Sequence, residues 1–513
     1  MRRFLPSRPF LYFLGVSIAF LALALPHLES PRIGWEEAIV PSAAIELLAG
    51  RAISPHFVPL RVAGRDWPLL FNVRGTGAVE SYLMLPVFKL FGASVVALRL
   101  AETLLTLLAG LLFVRAARFL FDEETAYTAA PLLLLNAAFL LYGTRDGFEG
   151  AILVQWLFLA LSLLAFARVF QGRGEYLPWA ALALGAGVYA KLHFLGVALG
   201  MSAAWAGLVA TGRCPAPRPR VAAAAVACFA LGCLPFIAWN LHSGGESFRH
   251  LGELAQAGSD PFAGRVALRL LQLRGYLCGR VDPVYPFPPG RFWLALRAAP
   301  FAALIWASAP ILGGRSPKGS AALPCLAAIV AAFLLAASLM LTRPGTNHVL
   351  PALPLVLIAY ASALRRLFPG RAARAAFVAL LLLPDLAVAR AFHSAAASAK
   401  APDAVVETAD YLRLNRIDAP LNVNDHDLGP EIEFLTGGQV IPVQAVLFSK
   451  EDAMTKLSDA VRRPSSVFLM TRGRALSDSG KARMFEEIVE RSRRRLRLRH
   501  ASDDGEILLF DAE

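Results

Sequence analysis

The sequence predicts a polytopic α-helical membrane protein that ends in a small soluble α/β domain, and three observations predict it. Of 513 residues, 56% are apolar and only 17% charged, whereas a soluble chain carries about a quarter charged residues. Apolar runs close to the ~20 residues that cross a bilayer as a helix recur about eleven times before residue 392. Beyond about residue 400 charges become frequent, and short β-like runs alternate with helical ones, the pattern of a small α/β domain.

The apolar runs fall at roughly 10–26, 93–114, 125–142, 150–170, 178–192, 194–211, 221–239, 292–312, 320–341, 348–364 and 375–392. The first follows Arg2, Arg3 and Arg8 and resembles a signal peptide. No small-residue cleavage site precedes the polar stretch after it, so it reads as a retained span. Lysine and arginine collect in every second short loop: Arg115 with Arg118, Arg168 with Arg173, Arg213 with Arg218 and Arg220, Arg315 with Lys318, and Arg365 with Arg366, Arg371 and Arg374. The positive-inside rule then places the N-terminus in the cytoplasm, and the inner membrane of a bacterium is the expected location.

This orientation divides the chain into a membrane domain, 1–392, and an extracytoplasmic α/β domain, 393–513, with long outer loops at about 27–92 and 240–291. The first loop holds an expected amphipathic helix, Glu36 to Leu48, and an apolar helix, Val79 to Phe91, too short to span and suited to the interface. The second carries Arg249, Arg265, Arg269, Arg274, Arg280 and Arg291 against the positive-inside trend. Arg265 and Arg269 lie one turn apart on an otherwise apolar helix, which suits snorkelling to headgroups or contact with a phosphate-bearing ligand.

In the tail, strands are expected at 420–423, 439–443, 466–470 and 506–510, with helices at 403–415, 450–461 and 479–495. Asn424-Asp-His-Asp427 reads as a loop at a strand end rather than a metal site. A formal charge of +13 is spread in clusters between apolar runs and forms no single stripe, so a nucleic-acid partner is not expected. The five cysteines lack zinc-like spacing, no metal ligands are assigned, and a divalent ion has no support in the pattern. No glycine-rich phosphate loop occurs; Gly185-Ala-Gly187 lies within a span and reads as close helix packing.

Ionisable residues at span ends are costly and draw attention to function. Glu36 and Glu37, Glu80, Arg145-Asp146 with Glu149, and Lys191 with His193 all fall on the expected outer face. Each alone reads as a solvated loop charge, and Glu36-Glu37 as helix-start acids favourable to the dipole. Together they describe a pocket with carboxylates for a base and cations for a phosphate.

Three passages resemble the GT-C fold glycosyltransferases of the protein O-mannosyltransferase and lipid A aminoarabinose transferase type. Trp35-Glu-Glu-Ala38 is similar to that family's Asp-Glu-Ala motif. Gly75-Thr-Gly-Ala-Val-Glu-Ser-Tyr-Leu-Met-Leu-Pro-Val-Phe-Lys-Leu-Phe-Gly92, running on through Ala97-Leu-Arg99, is similar to the approach to its second span. Thr342-Arg-Pro-Gly-Thr-Asn-His-Val-Leu-Pro-Ala-Leu-Pro354 is similar to its late basic motif before a Leu- and Pro-rich span.

The resemblance implies a GT-C fold over roughly 1–392 and transfer of a sugar from a polyprenyl-phosphate donor to a lipid, glycan or protein acceptor outside the membrane. It implies a catalytic base at Glu36 or Glu37. A Glu stands where the family has Asp, so the base has shifted, or Glu37 has taken the role, or activity is lost. Arg74, Arg145, Lys191 and His193, with Arg269 or His348, are the cations for the donor phosphate, and Glu80 and Asp146 belong to the same donor-binding group. Beyond the membrane lipid and the donor itself, no cofactor is assigned. A transporter or flippase of lipid-linked saccharides and a non-catalytic envelope assembly protein are the competing readings. The absence of an internal repeat and the clustering of charge near one surface weigh against transport.

Overall fold

The computed structural model describes residues 8–30, 35–53, 57–72, 75–145, 147, 151–249, 252, 261–277, 322–340, 346–398, 404–417, 421–423, 428–440, 442–444, 459–463, 466–471, 488–492, 494–503 and 505–512. Arg74, Asp146, Glu149 and Asn424–Asp427, and the expected span 292–312, lie outside these residues. Contacts divide the chain into two units. One comprises 1–28, 55–80 and 99–397. The other comprises 29–54, 81–98 and 398–513, so two segments ahead of residue 99 group with the tail rather than with the bundle.

Among the described residues, six helices are long and apolar enough to cross a membrane. They are α4 (Val95–Leu120), α7 (Ile152–Phe170), α9 (Leu195–Ala210, entered through a 3-10 turn Leu192–Phe194), α13 (Ala322–Met340), α14 (Leu353–Leu367, entered through a 3-10 turn Thr346–Ala352) and α15 (Arg371–Ser398). Two further runs are bent pairs: α5 (Glu123–Leu134) with α6 (Ala137–Arg145) at 57°, and α10 (Pro219–Gly232) with α11 (Leu234–His242) at 65°. The first and fifth expected spans are shorter helices, α1 (Arg8–Ala24, 17 residues) and α8 (Leu177–Ala190, 14 residues).

The break between α5 and α6 has an identifiable cause. Asn136 Oδ1 accepts the backbone N–H groups of Ala138 and Phe139, both at 3.1 Å. Asp385 of α15 accepts that of Ala137 at 2.9 Å. Two side chains therefore cap a helix start inside the bundle, which satisfies donors that would otherwise be orphaned.

Small residues let the helices approach. A Cβ on Gly185 would lie 2.2 Å from the carbonyl oxygen of Phe229 in α10, and one on Gly232 would lie 2.5 Å from that of Leu182. Gly196 and Gly200 of α9 meet α13 in the same way. The Gly185-Ala-Gly187 stretch is thus a close helix contact, as membrane packing favours.

Residues 57–72 and 75–77, expected only as loop, form a three-stranded antiparallel sheet of β1 (Val58–Val62), β2 (Arg65–Asn72) and β3 (Thr76–Gly77). Val62 pairs with Arg65 across a two-residue turn in which Ala63 and Gly64 have φ of 51° and 77°, the positive-φ pair of a type I′ hairpin.

In the second unit, helix α2 (Trp35–Leu48) corrects the expectation of an amphipathic surface helix. Every residue from Glu37 to Glu46 is buried, because α2 packs against α17 (Leu428–Leu435) of the tail. Helix α3 (Val79–Phe91) occupies the expected range, and Leu90 and Phe91 at its end are exposed. The tail holds α16 (Ala404–Leu414) and strands β4 (Leu421–Val423), β5 (Pro442–Gln444), β6 (Val467–Thr471), β7 (Leu496–Ala501) and β8 (Ile507–Ala512) in the order β5-β4-β6-β8-β7. The first three pair in parallel and the last two antiparallel, over a core that includes Val405, Leu421, Ile432, Leu469 and Leu509.

Candidate functional site

The site in the first unit is assembled on backbone that leaves the helix. Helix α8 ends at Ala190, and Lys191 is extended (φ −154°, ψ 121°) before the 3-10 turn Leu192–Phe194 begins. Strand β3 holds it there. Thr76 bridges to Lys191, the Leu192 N–H donates to the Gly75 carbonyl at 2.8 Å, and the Tyr189 hydroxyl donates to the Leu69 carbonyl at 2.7 Å. The seam leaves no room for side chains. A Cβ on Gly77 would lie 2.5 Å from the Tyr189 carbonyl oxygen, and one on Gly75, whose φ is +91°, would lie 2.8 Å from Leu192 Cβ.

A second break faces this one. The 3-10 turn Thr346–Ala352 carries His348 and is anchored by the Trp156 indole, which donates to the Leu350 carbonyl at 2.9 Å and stacks on Phe139 with centroids 4.4 Å apart. The imidazoles of His193 and His348 meet edge-on with centroids 6.0 Å apart, and Phe333 of α13 packs on His193 at 5.5 Å. His193 is buried, and its Nε2 has no hydrogen-bond partner among the described residues.

Helix α12 (Phe262–Leu277) completes the group. Arg269 is turned inward and buried, donating to Gln272 Oε1 at 3.0 Å. Burial, reinforced by neighbouring Arg265, lowers its guanidinium from the ordinary arginine value. Lys191 and Arg269 both act electrostatically on the two imidazoles. Four residues far apart in sequence, Lys191, His193, Arg269 and His348, therefore form one basic cluster of the kind that holds a phosphate. Snorkelling does not describe Arg269, since its head group points into protein.

The remaining expected residues are placed as follows. Arg145 is buried and committed to the backbone, donating to the carbonyls of Ala24 and Pro26 at 2.7 Å and of Thr144 at 3.0 Å, with Phe392 beneath it. These bonds tie the end of α1 to α6. Glu37 and Glu80 are buried in α2 and in the first turn of α3. For Glu36 the helix backbone is described and the side chain is not. Buried Arg99, which donates to the Leu28 carbonyl at 2.8 Å, and buried Glu102 escaped the sequence reading of sites. Arg99 lies in the quoted motif, and its burial is a tertiary fact. No group of three or more His, Cys, Asp or Glu able to hold a metal ion occurs among the described residues.

Comparisons with known proteins agree with this architecture. Residues 77–239 match the family model described as dolichyl-phosphate-mannose-protein mannosyltransferase. No curated protein matches in sequence. Among solved structures, the chain is similar to ArnT from Cupriavidus metallidurans bound to undecaprenyl phosphate, at 14% identity and a TM-score of 0.63, covering 98% of this chain and 97% of that one. The chain has the GT-C fold. The same GT-C architecture relates it to the archaeal oligosaccharyltransferase AglB from Archaeoglobus fulgidus, in complex with an inhibitory peptide and a dolichol-phosphate (15% identity, TM-score 0.54, 94% of this chain and 68% of that one). It also relates it to the arabinofuranosyltransferase AftD from Mycobacteria (15%, 0.52, 99% and 42%). As a GT-C chain it is an integral, multi-pass membrane protein.

Proposed function

We propose that the protein is an inverting glycosyltransferase that moves a sugar from a polyprenyl-phosphate carrier to a lipid, glycan or protein acceptor on the extracytoplasmic face of a bacterial inner membrane. Eleven spans, a cytoplasmic N-terminus and an extracytoplasmic domain at 393–513 belong to the same reading. The observation that carries it is the convergence of Lys191, His193, Arg269 and His348 on two helix breaks, a basic pocket built into a fold shared with proteins whose structures hold undecaprenyl or dolichol phosphate.

In the reaction, Glu36 or Glu37 takes the proton of the acceptor hydroxyl or amine as that atom bonds to sugar C1. The bond from C1 to the phosphate oxygen breaks with its electron pair, and the polyprenyl phosphate leaves as an anion. Its growing charge is met by Lys191 and Arg269 and by hydrogen bonds from the imidazoles. Because the leaving group stays in the bilayer, the cations must sit at the end of a span. Lys191 and His348 both occupy such ends.

The test is transfer by purified protein in nanodiscs, with radiolabelled polyprenyl-phosphate sugars offered over a membrane extract. Label should reach an acceptor with wild type and fail with the Glu36→Gln, Glu37→Gln double variant or with Lys191→Met. A folded protein that transfers from no donor would replace the enzyme by the flippase reading.

A further inference from the structure

A second site lies away from the basic cluster, on the flank of the bundle between α4, α7 and α8. An open groove of about 710 Å³ runs there between Arg115 and Arg168 at one end and Phe158 and Ala186 at the other. Its walls are apolar and its floor is kept low by Ala165, Ala183 and Ala186. Leu161 and Trp179 on its rim are exposed.

The charged end holds two guanidiniums side by side. Arg168 lies over the Phe119 ring at 3.7 Å and Arg115 lies 5.7 Å from the same ring, so both cations are held beside one aromatic face. Among the described residues, no acid lines the groove. Neighbouring basic residues are neutralised instead: Arg118 by Glu123, Arg365 by Asp122, and Arg371 and Arg374 by Glu124. Among the described residues, the nearest polar partner of Arg168 is the neutral Gln171, at 3.3 Å.

We propose that this groove is a binding site for an anionic glycerophospholipid of the phosphatidylglycerol class. Charge complementarity names the headgroup: two unneutralised guanidiniums beside Tyr176 and Trp179, the aromatic pair expected at headgroup depth. Length names the tail. From Arg168 to Phe158 along α7 is about 15 Å, half of the roughly 30 Å hydrocarbon core, so one acyl chain of a single leaflet fills the groove. A zwitterionic lipid would leave the second guanidinium without a counter-charge.

Full-length protein in mild detergent is titrated with equal amounts of phosphatidylglycerol and phosphatidylethanolamine and read by native mass spectrometry, with the thermal midpoint followed in parallel. Wild type should retain phosphatidylglycerol preferentially and gain stability from it. Arg115→Ala with Arg168→Ala should lower that preference by about 30-fold, roughly fivefold for each basic residue, with only a small fall in the lipid-free midpoint from the lost contacts to Phe119. Ala183→Phe, which fills the groove and leaves both charges, should abolish retention. Arg218→Ala with Arg220→Ala, exposed and outside the groove, should change nothing. Equal loss in that last variant, equal retention of the two lipids by wild type, or replacement of the phospholipid by added undecaprenyl phosphate would each overturn the assignment.

Discussion

Replacing Gly77 by alanine tests whether the β3 seam positions the basic cluster. The new Cβ would lie 2.5 Å from the Tyr189 carbonyl oxygen and 2.9 Å from its ring. The nearer atom is backbone, so either β3 lifts or the end of α8 is displaced. Overpacking of this kind costs about 1–3 kcal/mol, and losing the bond from Leu192 N–H to Gly75 adds about 1 kcal/mol. Lys191 follows that bond directly. If its ammonium then misses one charge-assisted phosphate contact, about 1.5–3 kcal/mol is lost, a fall of roughly 10- to 150-fold in kcat/KM. The assay pairs sugar transfer with the thermal midpoint for Gly77→Ala, Lys191→Met and Gly174→Ala. Gly77→Ala should lose both activity and stability, and Lys191→Met activity alone. Gly174→Ala, whose Cβ meets nothing within 4 Å, should lose neither. Wild-type turnover and midpoint in Gly77→Ala would refute the seam's positioning role.

Three other outcomes are expected. Burial, the nearby Glu46 charge and, against them, Arg51 push the Glu433 carboxyl up to about 8. The folded form therefore holds a proton that the unfolded chain releases near 4.5, and stability of the second unit should fall as pH rises from about 4.5 to 8; Glu433→Gln should flatten that dependence in a pH-resolved melt. Asp385→Ala removes the acceptor of the Ala137 N–H inside the bundle and should lower stability by about 1–3 kcal/mol in denaturant titration, whereas Asp385→Asn keeps the acceptor and should recover most of it. Gly185→Leu should prevent α8 and α10 from closing and give protein that aggregates on size-exclusion chromatography, because the added Cβ would lie 2.2 Å from the Phe229 backbone oxygen.

Much of the bundle was legible because a bilayer demands long apolar runs, and all six helices that pass for spans coincide with such runs. The bends at Asn136 and at Cys233–Leu234 were not, because a run such as 125–142 stays apolar through the break. Asn136 caps the new helix start, and Asp385, 249 residues away, completes the cap from another helix. Lys191, His193, Arg269 and His348 could be singled out from sequence by their cost near a span. What gathers them is the β3 seam and the 3-10 turn, and neither has a periodic signature. Arg145 carried the same signal, yet its guanidinium holds carbonyls, since a span-end cation looks alike whether it serves backbone or ligand. In the tail, Leu496–Ala501 was assigned no element, because its alternation of leucine with arginine and histidine directly follows the arginine-dense run expected as helix to 495. Pairing with β8 makes it a strand.

The grouping of α2 with the tail has a consequence for biogenesis. Arg51 donates to the Gly438 carbonyl, 387 residues downstream, and α17, which covers α2, is among the last helices to emerge. At roughly 5–20 residues per second, α2 waits about 20–80 s after its own synthesis before that partner exists. Through that interval the side of α2 that packs on α17, with Glu46 beside Glu433, lacks its native cover, so the nascent chain depends on the membrane surface or a chaperone to shelter it. A ribosome stalled or a gene truncated before residue 428 would strand α2 in that state, and quality-control proteases should find it there.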